Sequence, residues 1–314
     1  MTEFHLNLEA EKEQLDACII YQNKQLLFSY EKAKGMLEAP ARINSCTKNV
    51  VSSLICIALQ QGKLSSVDIP LYRFFKSLAV DKDSRKQQIT LRHALTLSAG
   101  FRWQEFGGIN SFPIMTRSEH WVNYVLMQPM SDKPGTMMNY NSGVSQLLSS
   151  VIVQLTGQSV ASYAEETLFH TLNIQNYYWQ QDPQGLHSGG FGLSLSPLDM
   201  LKLGMLYLDK GMYNHTRLID ETVIEEATAP SIAAASPGIS GYYGWHWWVD
   251  PMKFAQDATV SYFYARGYGG QFIFVIPDIK AVVVTTRNQK IKAELPIAWF
   301  RNRLLPLLYL RATS

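Results

Sequence analysis

The chain has 314 residues, of which 46% are hydrophobic and 17% are charged, and its formal net charge is +2. This length can bury a large core, as one big domain or two lobes, and the composition is typical of a globular protein. The small net charge and the lack of a dense Lys/Arg run argue against nucleic acid as a partner.

The cysteines and the N-terminal residues give an expectation about the cellular setting. Cys18, Cys46 and Cys56 form neither a disulfide framework nor a Cys-x-x-Cys metal spacing, which favours a reducing, cytoplasmic location. The acidic first residues predict no signal peptide, and we expect no membrane span. Neither a zinc-type histidine pattern nor a phosphate-binding glycine loop is present, so we expect no metal and no cofactor.

Hydrophobic patterning predicts strands at both ends of the chain and helices between them. A short helix is expected at 5–15, a hairpin of strands at 18–21 and 25–30, and a buried helix at about 45–61. Further helices are predicted at 90–97, 119–127, 145–154, 163–172, 197–208, 219–227 and 291–310. Further strands are predicted at 242–249, 261–266, 271–276 and 281–286.

The short connection at 277–280 requires the last two strands to be antiparallel, because a parallel pair needs a long crossover. The pattern therefore predicts an α+β fold, an α/β sandwich whose antiparallel sheet is built from both chain ends and flanked by helices. We predict a single domain over 1–314, with an α/β lobe at 1–70 plus 236–314 and an inserted, mostly helical lobe at 71–235. A cleft between the lobes is the default position for a site.

A serine and a lysine lie one turn apart at the start of the predicted buried helix, in Ser45-Cys46-Thr47-Lys48. Residues i and i+3 share a helix face, so the two side chains can meet. Such a pair is expected about once by chance in a chain of this length. The second copy, Ser29/Lys32, lies in a predicted strand, where i and i+3 point to opposite faces. The alternative for Ser45 is an N-cap serine beside a solvated lysine.

Two further stretches suit acyl transfer when they are considered together with Ser45. Tyr140-Asn141-Ser142 comes just before a predicted helix, and Tyr268-Gly269-Gly270 lies in the β-rich region. Glycine among strands marks a bulge, a turn or a place where a ligand lies against the backbone. A substrate laid there can point its carbonyl at a backbone N–H. Cys46 points about 100° away from Ser45 on a helix, which favours a packed thiol over a nucleophile.

In this order, the three elements resemble the serine β-lactamase and penicillin-binding-protein superfamily, on the branch with class C β-lactamases, D-alanyl-D-alanine peptidases, carboxylesterases and nylon-oligomer hydrolases. The resemblance runs from about residue 20 to 310. It matches Ser45/Lys48 to the family's Ser-x-x-Lys, Tyr140-Asn141-Ser142 to Tyr-x-Asn, and Tyr268-Gly269-Gly270 to Lys-Thr-Gly or His-x-Gly on a sheet-edge strand.

The resemblance implies a role for each matched residue. Ser45 would be the nucleophile, and Lys48 and Tyr140 the base pair, with the choice between them left open. The oxyanion hole would be the backbone N–H groups of Ser45 and Gln271. The other substrate-binding residues would be Gly270, Tyr268 and Ser142.

Two residues depart from the family pattern. Ser142 stands where asparagine is usual, and Tyr268 stands where β-lactamases carry the lysine or histidine that helps to hold the substrate carboxylate. Arg266 could replace that charge. The resemblance thus implies a serine hydrolase that cleaves a small-molecule ester or amide through an acyl-serine. The alternatives are a β-lactamase or D-alanyl-D-alanine peptidase acting on a lactam or peptide, and a non-catalytic acyl-ligand binding or sensor protein. The sequence does not define the oligomeric state.

Overall fold

The computed structural model describes residues 3–106, 111–234, 241–253, 259–288 and 296–313. Its strands are β1 (Ala17–Gln22), β2 (Gln25–Glu31), β3 (Ala41–Arg42), β4 (Tyr178–Trp179), β5 (Leu193–Leu195), β6 (Met212–Tyr213), β7 (Thr216–Arg217), β8 (Ile232–Ala233), β9 (Tyr242–Tyr243), β10 (Trp248–Lys253), β11 (Thr259–Gly267), β12 (Gln271–Ile276) and β13 (Ala281–Thr286).

The α-helices are α1 (Glu3–Lys12), α2 (Thr47–Gln60), α3 (Lys76–Ala79), α4 (Leu91–Leu95), α5 (Ser111–Arg117), α6 (Trp121–Leu126), α7 (Ser142–Thr156), α8 (Val160–Ala164), α9 (His170–Leu172), α10 (Pro197–Leu208), α11 (Glu221–Thr228), α12 (Pro296–Trp299) and α13 (Leu305–Thr313). Short 3₁₀ turns occur at Asn44–Cys46, Leu71–Arg73, Ser84–Gln88 and Pro277–Ile279, and π-helical turns at Glu165–Phe169 and Phe300–Leu304.

The main sheet joins the two ends of the chain. Its strand order is β2-β1-β13-β12-β11-β10-β9-β8, and every pairing in it is antiparallel. The N-terminal hairpin meets the C-terminal strands through the β1–β13 ladder, in which Ile19 lies opposite Val284. The predicted antiparallel sheet built from both chain ends is therefore confirmed.

Helices cover both faces of this sheet. Successive strand residues point to opposite faces, and neighbours on β12 show this directly. Ile273 faces Gly204 of α10, whereas Phe274 stacks on Phe300 just before α13, with ring centroids 3.7 Å apart. The sheet is thus sandwiched between α10 and the C-terminal helical segment, which buries both of its faces and explains the apolar runs of its central strands.

The helix α2 crosses the centre of the molecule and is buried over most of its length. It packs against α7 and holds the loop before β10, since Ser52 Oγ donates to the carbonyl of Trp245 over 2.8 Å. The prediction of a buried helix at about 45–61 is confirmed. The first turn differs: Ser45 lies in the 3₁₀ turn Asn44–Cys46 that leads into the α-helix.

Several elements differ from the predictions. The three-stranded sheet β3-β5-β4 was not predicted, because strands of two or three residues are too short to show a period of two. The predicted strand at 242–249 is two strands, β9 and β10, separated by a turn in which His246 has φ +63°. Residues 291–295 of the predicted closing helix lie outside the described residues.

The division into an α/β lobe and a helical lobe stays a prediction. Among the residues that the structure describes, no helix has both the length and the apolar character needed to cross a bilayer.

Candidate active site

Ser45 and Lys48 meet at the start of α2, as the motif predicts. Asn44, directly before the serine, has φ +50° and turns the chain from an extended segment into the helix. Ser45 is partly exposed, whereas Lys48 is only 1% exposed. The Lys48 Nζ lies 3.4 Å from Ser45 Oγ. A reachable hydroxyl is thus paired with an amine that is shielded from water. By contrast, Ser29 lies in β2, as predicted.

Lys48 is held by two stronger contacts on its other sides. Its Nζ lies 2.9 Å from Ser142 Oγ and 2.9 Å from the carbonyl oxygen of Gly190. These are distances of ordinary to strong hydrogen bonds, shorter than the contact to Ser45. The amine is therefore fixed by α7 and by the 188–192 loop.

Tyr140 lines the same site with its ring face. The ring centroid is 4.7 Å from Lys48 Nζ, which is a cation–π distance when the amine is protonated. Phe106 and Trp248 both stack with this ring, with centroids 6.0 Å and 5.9 Å away and planes 20° and 14° from parallel. The next residue, Asn141, caps α7 by accepting the N–H of Val144 over 3.0 Å, so it has a structural role.

Glu105 is a member of the site that the sequence did not reveal. One of its carboxylate oxygens, Oε2, accepts the Ser142 backbone N–H over 3.0 Å and the indole N–H of Trp103 over 2.6 Å. The other oxygen, Oε1, accepts a short hydrogen bond from the Ser142 hydroxyl. In the sequence, Glu105 is only an acidic residue at the end of the stretch Phe101-Arg102-Trp103-Gln104-Glu105, and no motif there indicates which residue it contacts.

The Gly190 carbonyl that contacts Lys48 is positioned by a buried polar chain. Gln146 of α7 donates to Asp182 over 3.1 Å and accepts the backbone N–H of Gly189 over 2.8 Å. A Cβ at Gly190 would lie 3.0 Å from Ser142 atoms, so only glycine fits this approach without displacement. The glycine-rich sequence Gly189-Gly190-Phe191-Gly192 predicts a flexible loop, but not that one of its carbonyls faces the lysine.

The third element lies in a turn, not on a strand. Tyr268-Gly269-Gly270 connects β11 to β12, so the expected position on a sheet-edge strand is wrong. The strand β11 has an open edge just before this turn. The strand β10 pairs with β11 only as far as Tyr264, so residues 265–267 have no ladder partner on that side within the described part of the chain. The expectation of a strand came from the resemblance, whereas the strands predicted at 261–266 and 271–276 left these residues between them.

Residues of this turn are tied to the segment that carries the nucleophile. The Asn44 side chain donates to the Tyr268 carbonyl over 2.7 Å. Gly267 approaches so closely that a Cβ there would collide with the carbonyl of Ile43. The Tyr268 side chain is 68% exposed. The end of β11 is thus held against the residues next to Ser45, and the tyrosine ring points toward solvent.

Gln271 and Gly270 lie on the buried side of the turn. Gln271 is opposite Gly267 in the β11–β12 ladder, and its side chain donates to the Arg287 carbonyl. The Arg287 guanidinium in turn donates to the Gly269 carbonyl over 3.0 Å. These contacts stiffen the turn, and the role of the Gln271 N–H in an oxyanion hole stays a prediction.

Two other buried groups near the lysine are unsuited to nucleophilic catalysis. Cys46 is fully buried, with Sγ 3.5 Å from the Gln271 carbonyl, and burial raises the pKa of its thiol. His246 lies on the other side, with Nε2 3.2 Å from Ser145 Oγ. Burial, followed by the Lys48 charge, lowers the pKa of His246 well below its usual range. Among the described residues, no three His, Cys, Asp or Glu side chains form a metal-binding group.

The comparison with protein families agrees with this fold. A model of the Beta-lactamase family matches residues 12–306, which is nearly the whole chain. The chain therefore belongs to the Beta-lactamase family. This family and this fold are those of serine hydrolases.

Solved structures with the same fold come from several organisms. A Bacillus anthracis protein provisionally named a 6-aminohexanoate-dimer hydrolase is 18% identical with a TM-score of 0.82, covering 98% of this chain and 82% of that one. The octameric penicillin-binding protein homologue from Pyrococcus abyssi is 19% identical with a TM-score of 0.76, covering 98% and 76%. A class C β-lactamase from Rhodobacter sphaeroides is 14% identical with a TM-score of 0.68, covering 98% and 97%.

Proposed function

We propose that this protein is a serine hydrolase that cleaves an ester or an amide through an acyl-enzyme on Ser45. The observation that carries the proposal is the contact of the partly exposed Ser45 hydroxyl with the buried Lys48 amine, 3.4 Å away. A serine hydroxyl is a weak nucleophile and needs an adjacent base. A buried amine at this distance is placed to take the proton as Oγ attacks the substrate carbonyl.

Tyr140 completes the proposed base pair. Its stacked ring forms a wall beside the amine, and its phenol can pass a proton to the leaving group. Developing negative charge on the substrate oxygen would be stabilised by backbone N–H groups at Ser45 and at the β11–β12 turn, with Gln271 as the residue implied by the resemblance. Water then releases the acyl group from Ser45.

An ester or amide is favoured over a β-lactam because of Tyr268. It stands where related β-lactamases carry a cation, and its side chain is largely exposed. The provisional name of the Bacillus anthracis relative, an amide-dimer hydrolase, agrees with this preference. Arg266 pairs in register with Phe272 and lies in the stretch of β11, residues 265–267, that has no partner from β10. It stays a candidate for holding an anionic substrate group.

The proposal is tested by labelling the protein with a fluorophosphonate and assaying chromogenic short-chain esters and amides. We expect the adduct on Ser45, and a fall in kcat of about 10³ or more in Ser45→Ala. Ser29→Ala, which changes the other Ser-x-x-Lys copy, should label and turn over normally. Binding of an acyl ligand with no labelling and no turnover would contradict the proposal and favour a sensor protein. Rapid hydrolysis of nitrocefin would instead identify a β-lactamase.

A further inference from the structure

We propose that Glu105, acting through Ser142, is the positioning residue that makes Lys48 a base in this protein. The inference rests on the proposed function and adds to it a carboxylate outside the Ser-Lys-Tyr set. It starts from the short chain of contacts Glu105–Ser142–Lys48 and from the departure at Ser142, where the family pattern has asparagine.

The donors around Glu105 determine the direction of this hydrogen-bond chain. Three donors converge on its two oxygens: the Ser142 hydroxyl, the Ser142 N–H and the Trp103 indole N–H. An ionised carboxylate only accepts hydrogen bonds, so it fits this set without conflict. Because the Ser142 hydroxyl proton goes to Glu105, the lone pairs of Ser142 Oγ are left for Lys48. Lys48 must therefore be the donor in its 2.9 Å contact with Ser142.

The direction of that bond fixes the orientation of the amine. The Gly190 carbonyl can also only accept, over 2.9 Å. A neutral amine has two N–H bonds and one lone pair, so both N–H bonds are used by Ser142 and Gly190. The lone pair is then left for the third neighbour, Ser45 Oγ. During attack, the Ser45 O–H bond breaks and its proton forms an N–H bond on Lys48, while Oγ bonds to the substrate carbonyl carbon and the π electron pair of the carbonyl moves onto its oxygen.

Glu105 also provides the negative charge that the resulting ammonium needs. Lys48 is 1% exposed, and the structure shows no carboxylate bonded to it directly within the described residues. A buried ammonium without a counter-charge is costly. The other titratable groups around Lys48 are Tyr140, the buried Cys46 thiol and the buried His246, and none of these three is an ionised carboxylate. The carboxylate of Glu105, which is separated from Lys48 by Ser142, therefore compensates the charge of the ammonium.

The test compares Glu105→Gln, Ser142→Ala and their double variant with the wild type. We expect Glu105→Gln to lower kcat at least about tenfold with little change in KM. We also expect the acidic limb of the kcat/KM profile to move to lower pH, because loss of a nearby negative charge disfavours the ammonium. Since Glu105 orients the amine through Ser142, the loss of kcat in the double variant should be clearly smaller than the sum of the two single losses.

Two controls separate positioning from mere stabilisation. Glu9→Gln changes a carboxylate of equal exposure, 9%, which is paired with Arg303 away from the site. It should lower the melting temperature without moving the pH profile. Ser142→Asn keeps an acceptor for Lys48 and donors for Glu105, and should recover most of the activity that Ser142→Ala loses.

A readout independent of catalysis is the pH titration of Lys48, followed by NMR of ¹³C-lysine-labelled protein and assigned with Lys48→Arg. We expect Glu105→Gln to move its midpoint to lower pH. If the midpoint and the acidic limb are unchanged, or the two substitutions are additive, the inference is overturned while labelling of Ser45 still supports the hydrolase. If the wild type neither labels nor turns over but the midpoint moves, the hydrolase proposal fails and only the electrostatic coupling of Glu105 to Lys48 stands.

Discussion

At the scale of single residues, the site consists of the Ser45 hydroxyl and the Lys48 amine, and the amine contacts a different group on each side. Ser142, Gly190 and Ser45 take its three bonding directions, and the ring of Tyr140 covers a fourth side. Lysine suits this position because it presents a compact amine on a long apolar stem and can lose its proton when buried. The arrangement assigns separate roles to the tyrosine ring and to its hydroxyl.

Tyr140→Phe separates these two roles. The ring, its stacking with Phe106 and Trp248 and its contact with Lys48 are all retained, so we expect the melting temperature to change little. Loss of the phenolic proton should lower kcat by about 10² or more if the hydroxyl is an acid or a base in the reaction. Steady-state kinetics with an ester substrate measures this.

The matched control for that change is Tyr264→Phe. Tyr264 belongs to the same row of rings, since it stacks with Trp248 at a centroid distance of 6.3 Å, but it is not in contact with Lys48. We expect near wild-type kcat for the control. An equal fall in both variants would show that the aromatic row, and not the Tyr140 hydroxyl, is what catalysis requires.

At the scale of elements, the site depends on three close approaches at glycines, two of backbone to backbone and one, at Gly143, of backbone to side chains. The strand β11 reaches the segment before α2 at Gly267, the 188–192 loop reaches α7 at Gly189 and Gly190, and α7 reaches Trp103 at Gly143. A side chain at any of these glycines would meet atoms of the facing element. The positions of these glycines in the sequence do not reveal the contacts, which the structure shows.

Gly267→Ala should separate β11 from the nucleophile. The added Cβ meets the Ile43 carbonyl, and backbone atoms cannot move aside as a flexible side chain can. We expect a loss of unfolding free energy of about 1–3 kcal/mol together with a fall in the rate of Ser45 labelling. Chemical denaturation and labelling kinetics measure the two effects.

Gly204→Ala is the control for strain alone. Its Cβ would meet Val282 Cγ1 at 2.6 Å in the contact between α10 and the sheet, away from Ser45. We expect a lower stability with an unchanged labelling rate. If Gly267→Ala lost stability but labelled at the wild-type rate, the close approach of β11 would have no role in reactivity.

At the scale of the whole molecule, two buried histidines and one partly buried histidine make stability depend on pH. Burial lowers the pKa of His93, His187 and His246 below the usual value, most strongly for His246. The unfolded chain takes up protons on these groups near pH 6.5, where the folded protein does not. The folded pKa lies below the unfolded one, so this stability is present above about pH 6.5 and is lost as the pH falls below it.

His246→Asn should reduce that pH dependence. Each buried neutral histidine contributes a slope of up to ~1.4 kcal/mol per pH unit between its unfolded and folded pKa values. Asparagine tolerates the left-handed backbone at this position, so the fold should be retained. We expect a shallower fall in unfolding free energy between pH 6.5 and 5.

His215→Asn is the control, because His215 is exposed and also has a positive φ, +66°. It should leave the slope unchanged. If His246→Asn also left the wild-type slope intact, the burial of this imidazole would not govern the acid sensitivity of the protein.

A feature of the fold or the site could be predicted from the sequence when the residues that define it lie close together along the chain. The Ser45–Lys48 contact follows from a spacing of three residues on one helix, so it could be read locally, and the antiparallel closing strands followed from their short connection. The strand pairing between the two chain ends was inferred from pattern and proved right. The resemblance placed Tyr268 on a strand, but it lies in a turn, where Gly269 and Gly270 have positive φ and interrupt the β-rich region.

The sequence by itself determined the Ser-Lys pair, the buried helix that follows the serine and the antiparallel closing strands, because each depends on local periodicity or a short connection. Only the tertiary structure decided what surrounds the lysine. The Glu105–Ser142 bond spans 37 residues and the Lys48–Gly190 bond spans 142. No periodic pattern encodes such contacts, which arise from how α2, α7 and two loops pack together.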